Sequence, residues 1–193
     1  MKGNFTDKQL LLASKSPRRS ELLRLADFNF TIIDNWVDEF VPPGMDVTDI
    51  AQYLADKKGE GNRKFLTNEN QIIISSDSVV ILEGEVFGKP VNEANAFEML
   101  SRLSGKTHTV ITGVCLLSLD KKVLFDERAE VEFWPIEQEE INYYIREYRP
   151  LDKAGAYGIQ EWLGLCMIKS IRGNYSTIMG LPVARLYHEL KAF

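Results

Sequence analysis

The sequence lacks a long apolar run, an excess of positive charge and a set of cysteines. No stretch of its 193 residues approaches the roughly 18 to 20 apolar residues that cross a bilayer, so no membrane partner is expected. The net charge is −5, which argues against a stable nucleic-acid partner, because such proteins generally present a basic face. The two cysteines, Cys115 and Cys166, lie in apolar runs and are predicted to be buried, reduced thiols.

Several catalytic signatures are absent as well. The sequence contains neither G-x-S-x-G nor G-x-G-x-x-G, and neither His108 nor His188 has a partner at metal-binding spacing. The segment Gly84–Pro90 resembles a P-loop, but it has three residues between its glycines instead of four, and proline follows Lys89. The segment Met1–Lys8 carries charges and leads directly into a predicted strand, so no secretory signal is indicated and a cytoplasmic protein is expected.

What is present predicts a single α/β domain over residues 1–193, with a mixed twisted sheet and flanking helices. No internal repeat, low-complexity tract or long linker divides the chain. The predicted strands are Gln9–Ala13, Phe28–Ile33, Gln71–Leu82 in a hairpin with Glu85–Phe87, Thr107–Leu119, Val123–Phe133, and a pair near Ile159 and Leu165–Ile171. The predicted helices are Pro17–Ala26, Thr48–Lys58 ended by Gly59, Asn92–Ser104, Ile136–Tyr148 and Pro182–Lys191.

Two arginines stand at the start of the first predicted helix. Ser16 and Pro17 predict the helix start, and Arg18 and Arg19 then lie beside the positive end of the helix dipole, which is locally unfavourable. A phosphate group at this position would explain them, because backbone N–H groups, the dipole and the guanidinium groups would all favour it. The alternative is a pair of solvated surface arginines.

Asp77 stands between Ser76 and Ser78 at the end of the Ile72–Ile74 run, in the polar segment Ser75–Ser78 that interrupts the predicted strand Gln71–Leu82. Because α/β proteins generally bind ligands at strand ends, a carboxylate here can bind Mg²⁺ or accept a proton from water. The alternative is a structural aspartate that caps a turn. Lys89 lies on a predicted rigid turn and is a candidate for a single positive charge directed into the binding cleft. Lys58 is either a second such charge or a cation that stabilises the end of its helix.

Several ordered blocks together resemble the Maf family of nucleoside triphosphate pyrophosphatases over nearly the full length. The blocks are Leu12–Arg19 with Glu21–Leu23, Asp38–Glu39, Leu54–Ala55 with Lys58, Ser76–Ser78, Gly88–Pro90, Leu103–His108, Asp152–Gln160 and Gly180–Pro182. The resemblance implies one pyrophosphatase domain whose fold is similar to that of inosine triphosphate pyrophosphatases. It further implies two lobes around a central cleft, a homodimer, and metal-dependent cleavage between the α and β phosphates with Mg²⁺ or Mn²⁺.

The resemblance also implies roles for individual residues. Asp77 matches the family's catalytic proton acceptor, and Glu39 matches a second acidic position, so these two carboxylates are the expected metal ligands. Lys58 and Lys89 match the catalytic lysines of the cleft. The residues that match substrate-binding positions are Ser14, Arg18, Arg19, Ser78 and Gln160.

Substrate preference in the family is implied to depend on the positions of Arg18, Ser78 and Gln160. The Arg18–Arg19 pair and the stretch Tyr157–Gln160 resemble the branch that hydrolyses dTTP and UTP, and they differ from the branch that acts on 7-methyl-GTP. The substrates implied for this chain are therefore dTTP and UTP, with modified pyrimidine nucleotides as a further possibility. This chain departs from the branch at Ser78, where threonine is usual, and at Gly59, where alanine commonly follows the lysine. The competing hypothesis is a non-enzymatic regulator of cell division that binds nucleotide or nucleic acid.

Overall fold

The structure is a computed structural model that describes residue 5 and residues 7–33 and 37–193. The first four residues, on which the expectation about a secretory signal partly depends, lie outside the described residues. No helix in the described part of the chain is long and apolar enough to cross a membrane.

Strands and helices alternate along much of the chain, as an α/β fold requires. The strands are β1 (Gln9–Ala13), β2 (Phe30–Ile33), β3 (Gln71–Leu82), β4 (Glu85–Phe87), β5 (Thr107–Leu117), β6 (Lys122–Phe133) and β7 (Ile168–Arg172). The helices are α1 (Pro17–Leu25), α2 (Ile50–Gly61), α3 (Glu93–Leu103), α4 (Gln138–Tyr148), α5 (Trp162–Met167), α6 (Tyr175–Ile178) and α7 (Val183–Ala192). Short 3-10 turns cover Arg63–Phe65, Pro150–Asp152 and Ala154–Ala156.

The strands of the described residues form one mixed, seven-stranded sheet with flanking helices, which confirms the predicted fold class. Their order is β2, β1, β3, β5, β6, β7, and β4 pairs with β3. β1 is parallel to both β2 and β3, whereas the β3–β4 and β6–β7 pairs are antiparallel. The hairpin between β3 and β4 is the predicted one, and it turns at Glu83 and Gly84, which both have positive φ.

The contacts divide the chain into two units. The first contains the described residues through Asp77, together with Thr112–Glu127 and Gly180–Phe193. Its core joins strand residues such as Leu11 and Ile73 to Ala55 of α2, with Cys115 and Leu117 of β5. Burial of these apolar surfaces is the main favourable term in its folding.

The second unit contains Ser78–Ile111 and Arg128–Met179. Buried side chains of α3 and α4 contribute to its core, and the rings of His108, Phe133 and Tyr157 contact one another at centroid distances of 5.0 to 5.4 Å. Burial lowers the pKa of His108 to about 4, so the ring is neutral at pH 7. Its Nε2 lies 2.8 Å from the Tyr157 hydroxyl, in agreement with a structural role for this histidine.

The predicted end of α2 at Gly59 is wrong. The helix continues to Gly61, and Asn62 is its C-cap. A Cβ atom at Gly59 would lie 2.8 Å from Cys115 Sγ and 3.0 Å from Ser75 Oγ. Glycine therefore serves here to bring the helix close to the sheet, and it does not shorten the helix.

The predicted strand pair near Ile159 and Leu165–Ile171 is only partly correct. Ile159 is not in a strand, the segment from Trp162 is the short helix α5, and only Ile168–Arg172 is extended, as β7. A Cβ atom at Gly164 would lie 2.2 Å from the Ile159 carbonyl oxygen, so the glycine permits this close return of the chain. The predicted burial of Cys166 fails for the same segment, because this thiol is exposed, whereas Cys115 is buried as predicted.

Candidate active site

The loop between β1 and α1 is organised by the side chain of Ser14. Its Oγ accepts hydrogen bonds from the Ser16 backbone N–H at 3.2 Å and from an Nη1 hydrogen of Arg19 at 3.1 Å. Ser16 is the N-cap, as predicted, but its side chain makes no capping hydrogen bond. The backbone N–H groups of the first turn of α1 are therefore not capped by this serine, and they retain the partial positive charge of a helix start.

The side chain of Arg19, which contacts this loop through Ser14, is half-buried. Its Nε donates a hydrogen bond to the Gly180 carbonyl at 2.8 Å, so the guanidinium is tied to two separate segments. Burial lowers the pKa of Arg19, whereas the charge of Asp77 opposes this shift and Arg18 adds to it. Arginine nevertheless remains protonated at neutral pH, so a fixed cation stands near the Asp77 carboxylate.

Lys58, in the last turn of α2, joins the two acidic residues that the sequence singled out. Its Nζ lies 2.6 Å from Asp77 Oδ1 and 2.7 Å from Glu39 Oε1. The side chains of Lys58 and Asp77 are 16% and 15% exposed, whereas that of Glu39 is 47% exposed. Three of the predicted catalytic residues therefore meet around one ammonium group, within the first unit.

Asp77 does not lie at the end of a strand, in contrast to the expectation from the sequence. β3 runs without interruption from Gln71 to Leu82, and Asp77 is in its middle. The parallel pairing with β1 covers β3 only as far as Ile74, and the pairing with β4 begins at Val80. Asp77 thus lies between these two paired parts of the strand.

The donor set suits a hard divalent cation. The oxygen atoms of Asp77 and Glu39 converge on one positive group, the ammonium of Lys58, and carboxylate oxygens are the ligands that Mg²⁺ prefers. The described residues contain no cluster of three or more His, Cys, Asp or Glu side chains arranged to hold a metal. Two carboxylates nevertheless fit Mg²⁺, because this ion is usually bound by one or two carboxylates together with waters and substrate phosphates.

The predicted residues Ser78, Lys89 and Gln160 lie in the second unit, whereas Arg18 lies beside Arg19 in α1 of the first unit. Lys89 is exposed and follows β4, and Ser78 is the residue after Asp77 in β3. Gln160 is half-buried, but its side-chain Oε1 is buried and has no hydrogen-bond partner among the described residues. A buried acceptor without a donor is costly unless a ligand or water satisfies it.

A hydrogen-bonded network that the sequence did not predict holds the segment around Gln160. The Tyr144 hydroxyl donates to Glu161 and accepts a hydrogen bond from the Gly158 N–H at 3.0 Å. Glu161 also pairs with the buried Lys153 at 3.1 Å. Lys153 and Gly158 belong to the block Asp152–Gln160 quoted above, but nothing in their spacing indicated that a tyrosine of α4 completes the network.

Comparison with known proteins places the chain among close relatives. The model of the Maf family, described as Maf-like protein, matches residues 9–193. A Bacteroides thetaiotaomicron protein named dTTP/UTP pyrophosphatase is 43% identical over 194 residues, covering 99% of both chains. A Bacillus mycoides protein of the same name is 45% identical over 186 residues, covering 96% of both.

Among solved structures, the Ham1 protein of Staphylococcus aureus matches with a TM-score of 0.48 at 17% identity. This match covers 65% of the present chain and 72% of the Ham1 chain. The curated relatives, in contrast, match over nearly the full length.

Proposed function

This chain belongs to the Maf family, and we propose that it hydrolyses dTTP and UTP to the nucleoside monophosphate and pyrophosphate. The observation that carries the proposal is the meeting of Glu39 and Asp77 at the Lys58 ammonium, close to the fixed charge of Arg19. Acids and cations held together in this way are what phosphoryl chemistry requires. The printed names of relatives at 43% and 45% identity support the choice of dTTP and UTP.

Binding of the triphosphate is assigned to the cations near the start of α1. The N–H groups of the first helical turn, to which the Ser16 side chain makes no capping hydrogen bond, and the guanidinium groups of Arg18 and Arg19 suit phosphate oxygens in charge and in hydrogen-bond donors. Ser14 contributes by holding Arg19 at 3.1 Å. Lys58 and Lys89 add positive charge for the triphosphate and for the departing pyrophosphate.

The chemical step is an in-line attack of water on the α-phosphorus. The water oxygen forms a bond to this phosphorus, the bond from the α-phosphorus to the bridging oxygen breaks, and pyrophosphate leaves. Asp77 is assigned to accept the proton of the attacking water, or would be a ligand of a divalent metal. Glu39 and Asp77 would hold Mg²⁺ or Mn²⁺, which supplies charge neutralisation and lowers the pKa of a bound water.

Recognition of the base is assigned to Gln160. Its buried Oε1 needs a donor, and N3–H of thymine and uracil is a donor flanked by two carbonyl oxygens. One side-chain amide can therefore accept from N3–H and donate to a neighbouring carbonyl. Ser78 is assigned to substrate contact beside the catalytic aspartate, with a hydroxyl but without the methyl group of threonine.

We expect Gln160→Glu to lower kcat/KM for dTTP and UTP by roughly 10- to 100-fold, because the carboxylate keeps an acceptor but loses the amide donor. Cytosine carries an acceptor at N3 and a donor at N4, so dCTP should lose less, and the dTTP-to-dCTP ratio should fall. Steady-state kinetics with both nucleotides measure this ratio. Gln138→Glu on the exposed first turn of α4 adds the same charge in the same unit and should leave the ratio unchanged. An unchanged ratio in Gln160→Glu would remove Gln160 from base recognition.

Pyrophosphate release tests the reaction itself. The purified protein should release pyrophosphate from dTTP and UTP with Mg²⁺ or Mn²⁺, more slowly from 7-methyl-GTP and ITP, and not in the presence of EDTA. A preference for either purine nucleotide would retain the reaction and refute the pyrimidine assignment. Absence of release from every nucleotide would favour the regulatory binding protein. The proposed homodimer is tested separately by light scattering on the purified chain.

A further inference from the structure

The carbonyl oxygen of Gly180 accepts hydrogen bonds from two side chains. Arg19 Nε donates to it at 2.8 Å, and Ser76 Oγ donates to it at 2.9 Å. A carbonyl oxygen has two lone pairs, so these two donors fill its capacity. The three residues belong to α1, β3 and the segment before α7, and all lie in the first unit.

The backbone at Gly180 is in a conformation that glycine adopts readily. Its φ is +105°, a value that residues with a Cβ rarely adopt. The direction of its carbonyl is thus set by a local backbone choice and by the Ser76 hydroxyl. Ser76 itself is fully buried, so its hydroxyl has no access to solvent as an alternative partner.

Successive side chains of a strand point to opposite faces, so Ser76 and Asp77 extend in different directions from adjacent positions of β3. Asp77 reaches Lys58, whereas Ser76 reaches Gly180 and, through that carbonyl, the Arg19 guanidinium. These two adjacent residues of β3 therefore place the Asp77 carboxylate and, through the Gly180 carbonyl, the Arg19 guanidinium. The negative charge of Asp77 acts to raise the pKa of Arg19, against the effect of burial, so both residues belong to one electrostatic cluster.

We propose that the Ser76 hydroxyl and the Gly180 carbonyl position Arg19 for the triphosphate, which makes Ser76 a positioning residue. This proposal rests on the proposed function, in which Arg19 binds phosphate oxygens. Two of the five N–H donors of Arg19 are used by Gly180 and Ser14, and these bonds restrict the rotamers of a long side chain before substrate arrives. Restriction in the free protein reduces the entropy lost on binding.

The kinetic test compares two adjacent buried serines. Ser76→Ala should lower kcat/KM for dTTP by roughly 10- to 100-fold, the scale expected for a misplaced binding group. Ser75→Ala is the matched control, because Ser75 is also fully buried and donates to a backbone carbonyl, that of Ala55, at 2.7 Å. Both variants should lose a similar amount of thermal stability, but Ser75→Ala should retain kcat/KM within about twofold.

A double-mutant cycle separates positioning of Arg19 from a general structural effect. In the Arg19→Ala background, Ser76→Ala should lower kcat/KM no further, because the side chain that it positions is gone. Additive losses, or equal losses in Ser75→Ala and Ser76→Ala, would overturn the proposal.

A third measurement does not depend on catalysis. Exchange of the Arg19 Nε–H with solvent, followed by ¹⁵N NMR without nucleotide, should be slow in the wild type and in Ser75→Ala. It should be at least about tenfold faster in Ser76→Ala, since the bond to Gly180 is then less protected. Unchanged exchange in Ser76→Ala would refute the positioning, even if the wild-type protein proved to release no pyrophosphate.

Discussion

Asp77→Asn is expected to lower kcat for dTTP by at least about 100-fold while the protein folds normally. The amide has nearly the same shape, but it neither accepts a proton from water nor offers a full negative charge to a divalent cation. Folding should be retained because the asparagine oxygen can still accept from Lys58, and Lys58 keeps its ion pair with Glu39. Pyrophosphate release and thermal unfolding of the purified variant measure the two parts of this prediction.

A neighbouring carboxylate provides the control for Asp77. Asp38 pairs with Lys57 at 3.1 Å. These two residues directly precede Glu39 and Lys58, so they form an acid–lysine pair beside that of the site. The Asp38 side chain is 57% exposed, and an ion pair exposed to this degree contributes little to the free energy of unfolding. Asp38→Asn should therefore keep kcat within about twofold. Wild-type turnover in Asp77→Asn would overturn the catalytic assignment of this residue.

Local signals in the sequence were sufficient for many of the secondary-structure elements. Pro17 predicts the start of α1, and Asn92 predicts that of α3, where its side chain accepts from the Asn95 N–H at 2.8 Å. The hairpin at Glu83 and Gly84 was predicted in the same way. These features depend on residues only a few positions apart, so the chain can specify them without its tertiary contacts.

The errors arise where tertiary contacts override such signals. Gly59 is typical of a helix end, yet close packing against Cys115 requires a glycine within α2. The short apolar run around Leu165 fits a strand or a buried helix equally well, and the approach of Gly164 to the Ile159 carbonyl accompanies the helix. Neither contact is visible from sequence spacing.

The site was predicted unevenly for a similar reason. Resemblance to the Maf family suggested Glu39, Lys58 and Asp77 as a set, and the structure brings them together although Lys58 and Asp77 are 19 positions apart. It could not suggest that a backbone carbonyl links Arg19 to Ser76, because any residue supplies a carbonyl group. Such acceptors are recognised only once the chain is folded.

Gly113→Ala is expected to destabilise the protein by at least about 3 kcal/mol, the upper range for overpacking of a core. An added Cβ would lie 2.4 Å from the Ala51 carbonyl oxygen and 2.5 Å from the Gln52 nitrogen, both backbone atoms of α2. A flexible side chain could move aside, but a helix backbone moves only as a whole. Because α2 also carries Lys58, its displacement should weaken the contact with Asp77. Urea unfolding measures the stability change.

Gly88→Ala separates this steric effect from the general effect of replacing glycine. Apart from its two neighbours in the chain, no described residue has a heavy atom within 4 Å of a Cβ at Gly88, and the φ of Gly88 is not positive. The substitution should change the free energy of unfolding by no more than about 0.5 kcal/mol, or raise it slightly by restricting the unfolded chain. If Gly113→Ala were as mild as Gly88→Ala, the close approach of β5 to α2 would be refuted, together with the reason why glycine is needed there.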